Sequence, residues 1–372
     1  MDPRFLLAVE RTMGDQSRFW HALIYDGDSN PAGSASLCTF SVDLLTLAGK
    51  TVRSAVSIVR RFWPSFGCVR ILFCGLPVSV GQSHLCLAED ARPEGVLEAL
   101  NTEMSRLARE ERAWFVIYKE FDATEARAMD MLLGWGYRKA ECPAMHELAV
   151  KHPDFEAYCA ALKSHYRNDI RRSQQKFERA GLRARQLHDP DEISRVYNRE
   201  LHRLYEAVVE RAEIKLEVLP AEFFLELVRQ FPGLISLTLI YQEDRVVAFN
   251  WGLLDGTVHH YLFCGMDYQA PDADLYFNLM FHQLDDALKR GPTQIQVGQT
   301  ADTFKARLGC SPKPLFLYIR GCGPVVSWVL NAGFRFIFPP RPPIPAYTIF
   351  KTEPPPKKTG GKKPPRPADR DS

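Results

Sequence analysis

No two cysteines stand at CxxC spacing, so the nine cysteines scattered from Cys38 to Cys322 form neither a zinc ribbon nor a disulfide framework. Their odd number and scatter predict reduced, mostly buried thiols, as in cytosolic proteins. No uncharged apolar run reaches the length of about 20 residues that a spanning helix needs. The most apolar stretches are broken by Arg70 and Arg335. The first residues, MDPRFLLAVERTMGDQ, bring acids early and lack an apolar core ending in small residues, so no secretion signal is expected. An excess of one charge sign is missing too: 47 Lys plus Arg against 45 Asp plus Glu leave +2. With 46% apolar and 25% charged residues, the composition excludes wholesale disorder, collagen and coiled coil. These absences predict a soluble, cytoplasmic globular protein, and nothing in the charge pattern reads as DNA binding.

What is present is unevenly spread. Residues 351–372 carry +4, which leaves the body at −2, and residues 163–185 hold eight bases against two acids. A length of 372 residues suits two domains of ordinary size. The boundaries expected are 1–150, 151–350 and a proline- and lysine-rich tail, 351–372, with too little to bury to become ordered.

Within the body a pattern repeats. In the first part FWHALIYDGDSNPAGSASLCTF reads as two strands around a turn, VRILFCGLPVSV as a third, and residues 93–110 as a helix with Leu97, Leu100, Met104 and Leu107 on one face. AWFVIYKEF, ATEARAMDMLLGWGY and PAMHELAV follow as strand, short helix and strand. The second part opens with helical segments at 155–180, 191–212 and 220–230, and then repeats the order. LISLTLIYQ, RVVAFNWGLLDG and TVHHYLFCG form a meander. A helix near 273–290 shows Phe277, Met280, Phe281, Leu284 and Leu288 as its apolar stripe. The strand QIQVGQT, the helical DTFKARLG and the strand PLFLYIRG complete it. Both parts read β-β-β-α-β-α-β, an α/β (α+β) architecture of two mixed, mostly antiparallel sheets flanked by helices.

That order resembles the GNAT acyltransferases. Two such units in tandem are similar to the Fem family of peptidyltransferases and acetyltransferase-like proteins linked to peptidoglycan biosynthesis. The residues that carry the resemblance are FEAYCAALKSHYRNDIRRSQQKFERAG, HHYLFCGMDYQAPDADLYFNLMF and QVGQTADTFKARLG. It implies two tandem GNAT-like domains, an acyl or aminoacyl group moved to an amine, and a donor that is either acyl-coenzyme A or aminoacyl-tRNA. It also implies a small-molecule or cell-wall precursor as acceptor, tRNA as a candidate partner, and no permanent cofactor or metal.

The same resemblance puts Phe304-Lys305 at the family's Phe-Lys position, where a lysine near the acyl carbonyl stabilises an oxyanion. The competing reading is a surface lysine paired with Asp302. Tyr276, on the first turn of a helix, is the candidate general acid. His259 and Tyr261 share one face of a strand, and a histidine there has the pKa of a base. Asn250, Trp251 and Gln299, at strand ends, are expected to line the same groove. Arg167 and Arg171 lie four apart on a helix with Arg172 beside them. They face either a phosphate-bearing ligand or only solvent.

Two features set limits. A coenzyme A pyrophosphate is usually cradled by a glycine-rich loop at a helix N-terminus, whereas GMDYQAPDADLYFN offers Asp267, Asp272 and Asp274, with either of the last two as a helix cap. Tyr118-Lys119-Glu120 reads as an exposed strand end. Two further readings stay open: a conventional acyl-coenzyme A dependent N-acetyltransferase, and a catalytically silent binding module. Residues 325–338, apolar and next to basic chain, are a candidate for weak membrane-surface contact.

Overall fold

The computed structural model describes residues 2–43, 67–78, 80–212, 218–271 and 273–351. Asp272 and all of the expected tail except Lys351 lie outside the described residues.

The first half runs α1 (Pro3–Met13), β1 (Ser17–Tyr25), β2 (Pro31–Asp43), β3 (Cys68–Cys74), β4 (Leu85–Leu87), α2 (Pro93–Glu110), β5 (Phe115–Asp122), α3 (Glu125–Met129) and β6 (Arg138–Ala149). The second opens with α4 (Phe155–Ala161), α5 (Ser164–Arg179), β7 (Leu182–Leu187), α6 (Pro190–Val196), α7 (Arg199–Arg211) and α8 (Ala221–Gln230). It continues through β8 (Ile235–Gln242), β9 (Arg245–Asp255), β10 (Val258–Met266), α9 (Leu275–Lys289), β11 (Gln294–Gln296), α10 (Asp302–Arg307), β12 (Ser311–Gly321) and α11 (Pro324–Ile337).

The repeated order expected from the sequence is therefore present, as a mixed and mostly antiparallel α/β fold flanked by helices. One helix escaped the sequence reading: α1, which Asp2 caps through the Arg4 amide at 2.8 Å and which buries Phe5, Ala8, Val9 and Met13.

Among the described residues all twelve strands join one sheet, in the order β1-β2-β3-β5-β12-β6-β11-β10-β9-β8-β7, with β4 on β2. The centre of that order is where the halves trade strands. β12, last of the second half, pairs antiparallel with β5 of the first (Ile319 opposite Ile117), while β6, last of the first, pairs with β11 of the second (Leu148 opposite Ile295). β6 and β12 also pair with each other. Each half thus completes its sheet with the other's final strand.

Cores form on both faces. α1, α7 and α8 cover one face of the second half, packing Phe223, Phe224 and Trp251. α9 covers the other, with Met280, Phe281, Leu284 and Leu288 of the expected stripe buried, while Phe277, on its first turn, is exposed. Contact between α7 and β10 is so close that a Cβ on Gly265 would fall 2.7 Å from the Tyr205 amide nitrogen, so only glycine fits there.

Candidate active site

The strongest convergence of chemistry lies where β10 and β11 part. They pair in parallel as far as His260 opposite Gln296. Beyond that point β10 becomes irregular between Tyr261 and Cys264 and runs on to Met266, while β11 ends. Asn250, on the neighbouring strand and fully buried, steadies the irregularity by donating from Nδ2 to the Phe263 carbonyl at 3.0 Å.

Into this opening comes Lys305 from α10. It is 2% exposed, and its Nζ donates to the backbone carbonyl of Gln299 at 2.7 Å. The surface pairing with Asp302 weighed above is therefore not what forms. Burial lowers the lysine's pKa from 10.5 to about 8, against weaker opposing effects of Cys310, Cys264 and Asp302. It remains mostly a cation at neutral pH, held by one carbonyl and no carboxylate. Phe304, the preceding residue, stacks on Phe277 at 4.4 Å and fixes α10 to α9. Tyr276 lies 5.6 Å from the same ring, and burial pushes its hydroxyl up, so it stays protonated and can give a proton. Tyr261 is buried beside Cys264 and its hydroxyl is also held in the protonated form by burial.

The opening is braced by the first half. The main chain of His146, on β6, exchanges two hydrogen bonds with the segment after β11, at 3.1 Å to the Gly298 carbonyl and 2.8 Å from the Val297 amide. Its buried ring places Nδ1 3.3 Å from the Gly298 carbonyl and Nε2 3.5 Å from Asp302. Burial first, and the Lys305 cation second, lower its pKa. Gln299 donates from Nε2 to Glu120 Oε1 at 3.3 Å, so a carboxylate of the first half closes the chain Lys305–Gln299–Glu120. Three non-glycine residues here have left-handed backbone: Glu120 (φ 67°), Thr300 (φ 65°) and Ala301 (φ 55°). Each costs on the order of 1 kcal/mol or more and persists only where surrounding structure enforces it.

The structure thus brings Lys305, Gln299, Phe304, Tyr276 and Tyr261 together and adds Glu120, His146 and Asp302. The stretch Tyr118-Lys119-Glu120, expected as an exposed strand end, is buried throughout. The backbone strain is not legible in the sequence, because positive φ at non-glycine residues is imposed by tertiary context.

Other expected residues sit elsewhere. Trp251 follows Asn250 on a strand and so faces the other way, fully buried 5.1 Å from Tyr197 in an aromatic cluster. His259 shares its face with Tyr261, but it is fully buried, with Nε2 3.2 Å from Gln283 Nε2 in a network with Ser236 and Thr238. Burial lowers its pKa to about 3, so it is neutral at any working pH and poor at accepting a proton. The arginines stand on the outer face of α5. Arg167 reaches the Ala160 and Leu162 carbonyls at 3.5 Å, Arg172 lies 3.9 Å from Asp169, and Arg171 is exposed. On the same helix Lys176 pairs with Asp274 at 3.0 Å, and Arg245 pairs with Asp267. Asp267 and Asp274 are thereby neutralised, and Asp274 spends its side chain on Lys176 instead of capping the helix. Among the described residues no group of three or more His, Cys, Asp or Glu side chains is arranged to hold a metal ion.

Between the halves a cleft of about 410 Å³ is lined by Met13, Ser17, Phe40 and Pro77 on one side and by His202 and Glu206 of α7 on the other. His202 Nδ1 is 3.1 Å from the Tyr197 hydroxyl, and its Nε2 is 3.9 Å from Glu206.

Comparison with known proteins locates this geometry. Residues 164–306, from the start of α5 to the residue after Lys305, match the acetyltransferase (GNAT) domain model. Proteins of two Mycobacterium tuberculosis strains, provisionally named 8-amino-7-oxononanoate synthase 2, are 26% identical over 333 residues. The match takes in 85% of this chain but spans only 41% of their length. Among solved structures, a tandem GNAT protein from the clavulanic acid biosynthesis pathway is similar with a TM-score of 0.54 at 11% identity, covering 87% of this chain and 89% of its own. The C-terminal domain of a provisionally assigned lysylphosphatidylglycerol synthetase from Agrobacterium fabrum gives 0.52 at 12% identity, covering 90% and 96%. Likeness at that identity establishes the fold: GNAT units in tandem.

Proposed function

From a chain with the tandem GNAT fold, we propose an N-acyltransferase that moves an activated acyl or aminoacyl group onto an amine, with the chemistry in the second half. The observation that carries this reading is Lys305: a buried cation at the mouth of the β10/β11 opening, held by a carbonyl and flanked by strained backbone. As the amine attacks the acyl carbonyl, negative charge develops on oxygen, and a preorganised ammonium in a site of low dielectric stabilises it. Tyr276 gives a proton to the leaving group and takes back the one that the amine nitrogen loses as the amide forms. Asn250, His146, Gln299 and Phe304 position these groups, while His259 and Trp251 support the strands beneath.

GNAT domains take acyl-coenzyme A as donor substrate. Pairing Asp267 and Asp274 with Arg245 and Lys176 removes the net repulsion that those carboxylates would exert on a pyrophosphate. Arg167, Arg171 and Arg172 offer further positive charge on α5 to the phosphates of a donor, whether coenzyme A or tRNA. The acceptor enters from the cleft between the halves, where Glu206 attracts an ammonium group.

Donor and residue are tested together. The full chain is incubated with acetyl-coenzyme A or aminoacyl-tRNA and a panel of primary amines, including cell-wall precursor peptides, and free thiol or deacylated tRNA is followed. Turnover with one donor that collapses in Lys305→Ala supports the reading. Turnover unchanged in Lys305→Ala removes the lysine's role, and absence of binding by either donor in thermal shift favours a silent binding module.

A further inference from the structure

Helix α11 is apolar on both sides. Its inner side meets the sheet through Leu330, which is 3% exposed, with Phe334 half-buried beside it. Its outer side carries Val325 (72% exposed), Trp328 (70%), Val329 (52%) and Phe336 (90%). With Ala332 these fall at i, i+3, i+4, i+7 and i+11, a single stripe along the helix. Exposed large apolar side chains scattered singly are ordinary, but a continuous stripe on one element marks a surface that is covered in use.

Charge identifies what covers it. Residues 303–352 contain no Asp or Glu, and seven Lys or Arg. Arg335 flanks the stripe, Arg341 follows in the proline-rich segment, and Arg138 donates to Asn331 on the helix at 2.8 Å. The chain after Lys351 adds six bases against three acids. With 14 residues α11 is too short to cross a bilayer, and no described helix is long and apolar enough to do so. A short helix with Trp and Phe outward, in a stretch of sequence whose only charges are cations, has the composition of an element that lies in the interface of an anionic membrane.

We propose that α11 docks this protein on an anionic lipid surface, with Trp328 and Phe336 inserted among the acyl chains and Arg335 and Arg341 against the headgroups. This is independent of the acyl-transfer reading, since none of these residues belongs to the Lys305 site.

The test is sedimentation of the full chain with vesicles of phosphatidylcholine alone or mixed with phosphatidylglycerol. The protein is expected to pellet with the mixed vesicles and to be released by salt. Trp328→Asp with Phe336→Asp should weaken partitioning by on the order of 10- to 100-fold. Arg335→Glu should weaken it several-fold. Both variants should keep the parent melting temperature, because the altered side chains are exposed, and should keep turnover of soluble substrates. Brominated acyl chains should quench the parent fluorescence more than that of Trp328→Phe. The proposal is overturned if the parent stays in the supernatant, if the double variant binds as the parent does, or if the parent is a concentration-dependent dimer that Trp328→Asp dissociates.

Discussion

The two halves use one topology and treat its central opening differently. In the first half β3 and β5 pair in parallel up to Cys74 opposite Tyr118, and then Gly75 turns away. The stem of Lys119 fills the space that this leaves: a Cβ on Gly75 would fall 2.9 Å from the lysine's Cγ and Cε. Beside it His84 is buried, and burial first and the lysine's charge second lower its pKa to about 3. In the second half a lysine reaches the corresponding place from a different element, α10, and its charged end is held by the Gln299 carbonyl. A fold used twice therefore supplies one plugged opening and one with a cation in place. What separates them is which element the lysine comes from, not the strand order.

The sharpest way to break this comparison is to separate the halves. Residues 1–150 expressed alone lack β12, and residues 151–372 lack β6, so each should be soluble only as an aggregate or molten state while co-expression restores a cooperative transition by circular dichroism. A cooperative transition of 1–150 alone would show that the halves are separable after all. Next in size is the contrast between lysines. Lys305→Met should lower turnover by on the order of 10²- to 10³-fold, while Lys119→Met, which keeps an unbranched stem beside Gly75 and removes only the charge, should leave it within a few-fold of the parent. Equal losses would erase the distinction drawn between the two openings.

A smaller effect comes from pH. Because the ammonium form of Lys305 is the one that stabilises an oxyanion, turnover should fall as pH rises through about 8, and Lys305→Arg should move that limb upward. A rate that rises through the same range would instead make the lysine a base. Smallest is a shared property of the halves. His84 and His259, lowered to about 3, stay neutral when folded, whereas the unfolded chain protonates them near 6.5. Their contribution is present above pH 6.5 and fades as pH falls toward 3, by roughly 1.4 kcal/mol per pH unit for each histidine. Denaturant titrations of His84→Gln and His259→Gln should show a shallower acid limb in both, and a change in only one would mean that the other is not buried neutral.

How far this was legible in the sequence differs by level. Strands and helices with clean periodicity, such as β8 to β10 and α9, stand where the pattern puts them, since side-chain alternation directly encodes which face is buried. The exchange of β6 and β12 was not legible, because an alternating strand specifies its faces but not its neighbours. In the site, Phe304-Lys305 was found by resemblance. Glu120 was undervalued because Lys119-Glu120, two charges in a row, read as solvent-facing; one instead fills the Gly75 opening and the other reaches Gln299. Trp251 was misplaced by one position on a strand, which is enough to reverse its face.

The traded strands also bear on how the protein is made. β6 leaves the ribosome with β5 already present, yet the strand that belongs between them, β12, is encoded about 170 residues later. At roughly 10 residues per second the first sheet waits on the order of 20 s with that gap unfilled. During that interval β5 and β6 are edges open to pairing with each other or with another chain. The nascent first half is therefore the stage most in need of a chaperone, and the last of the described strands to be synthesised is the one that closes its sheet.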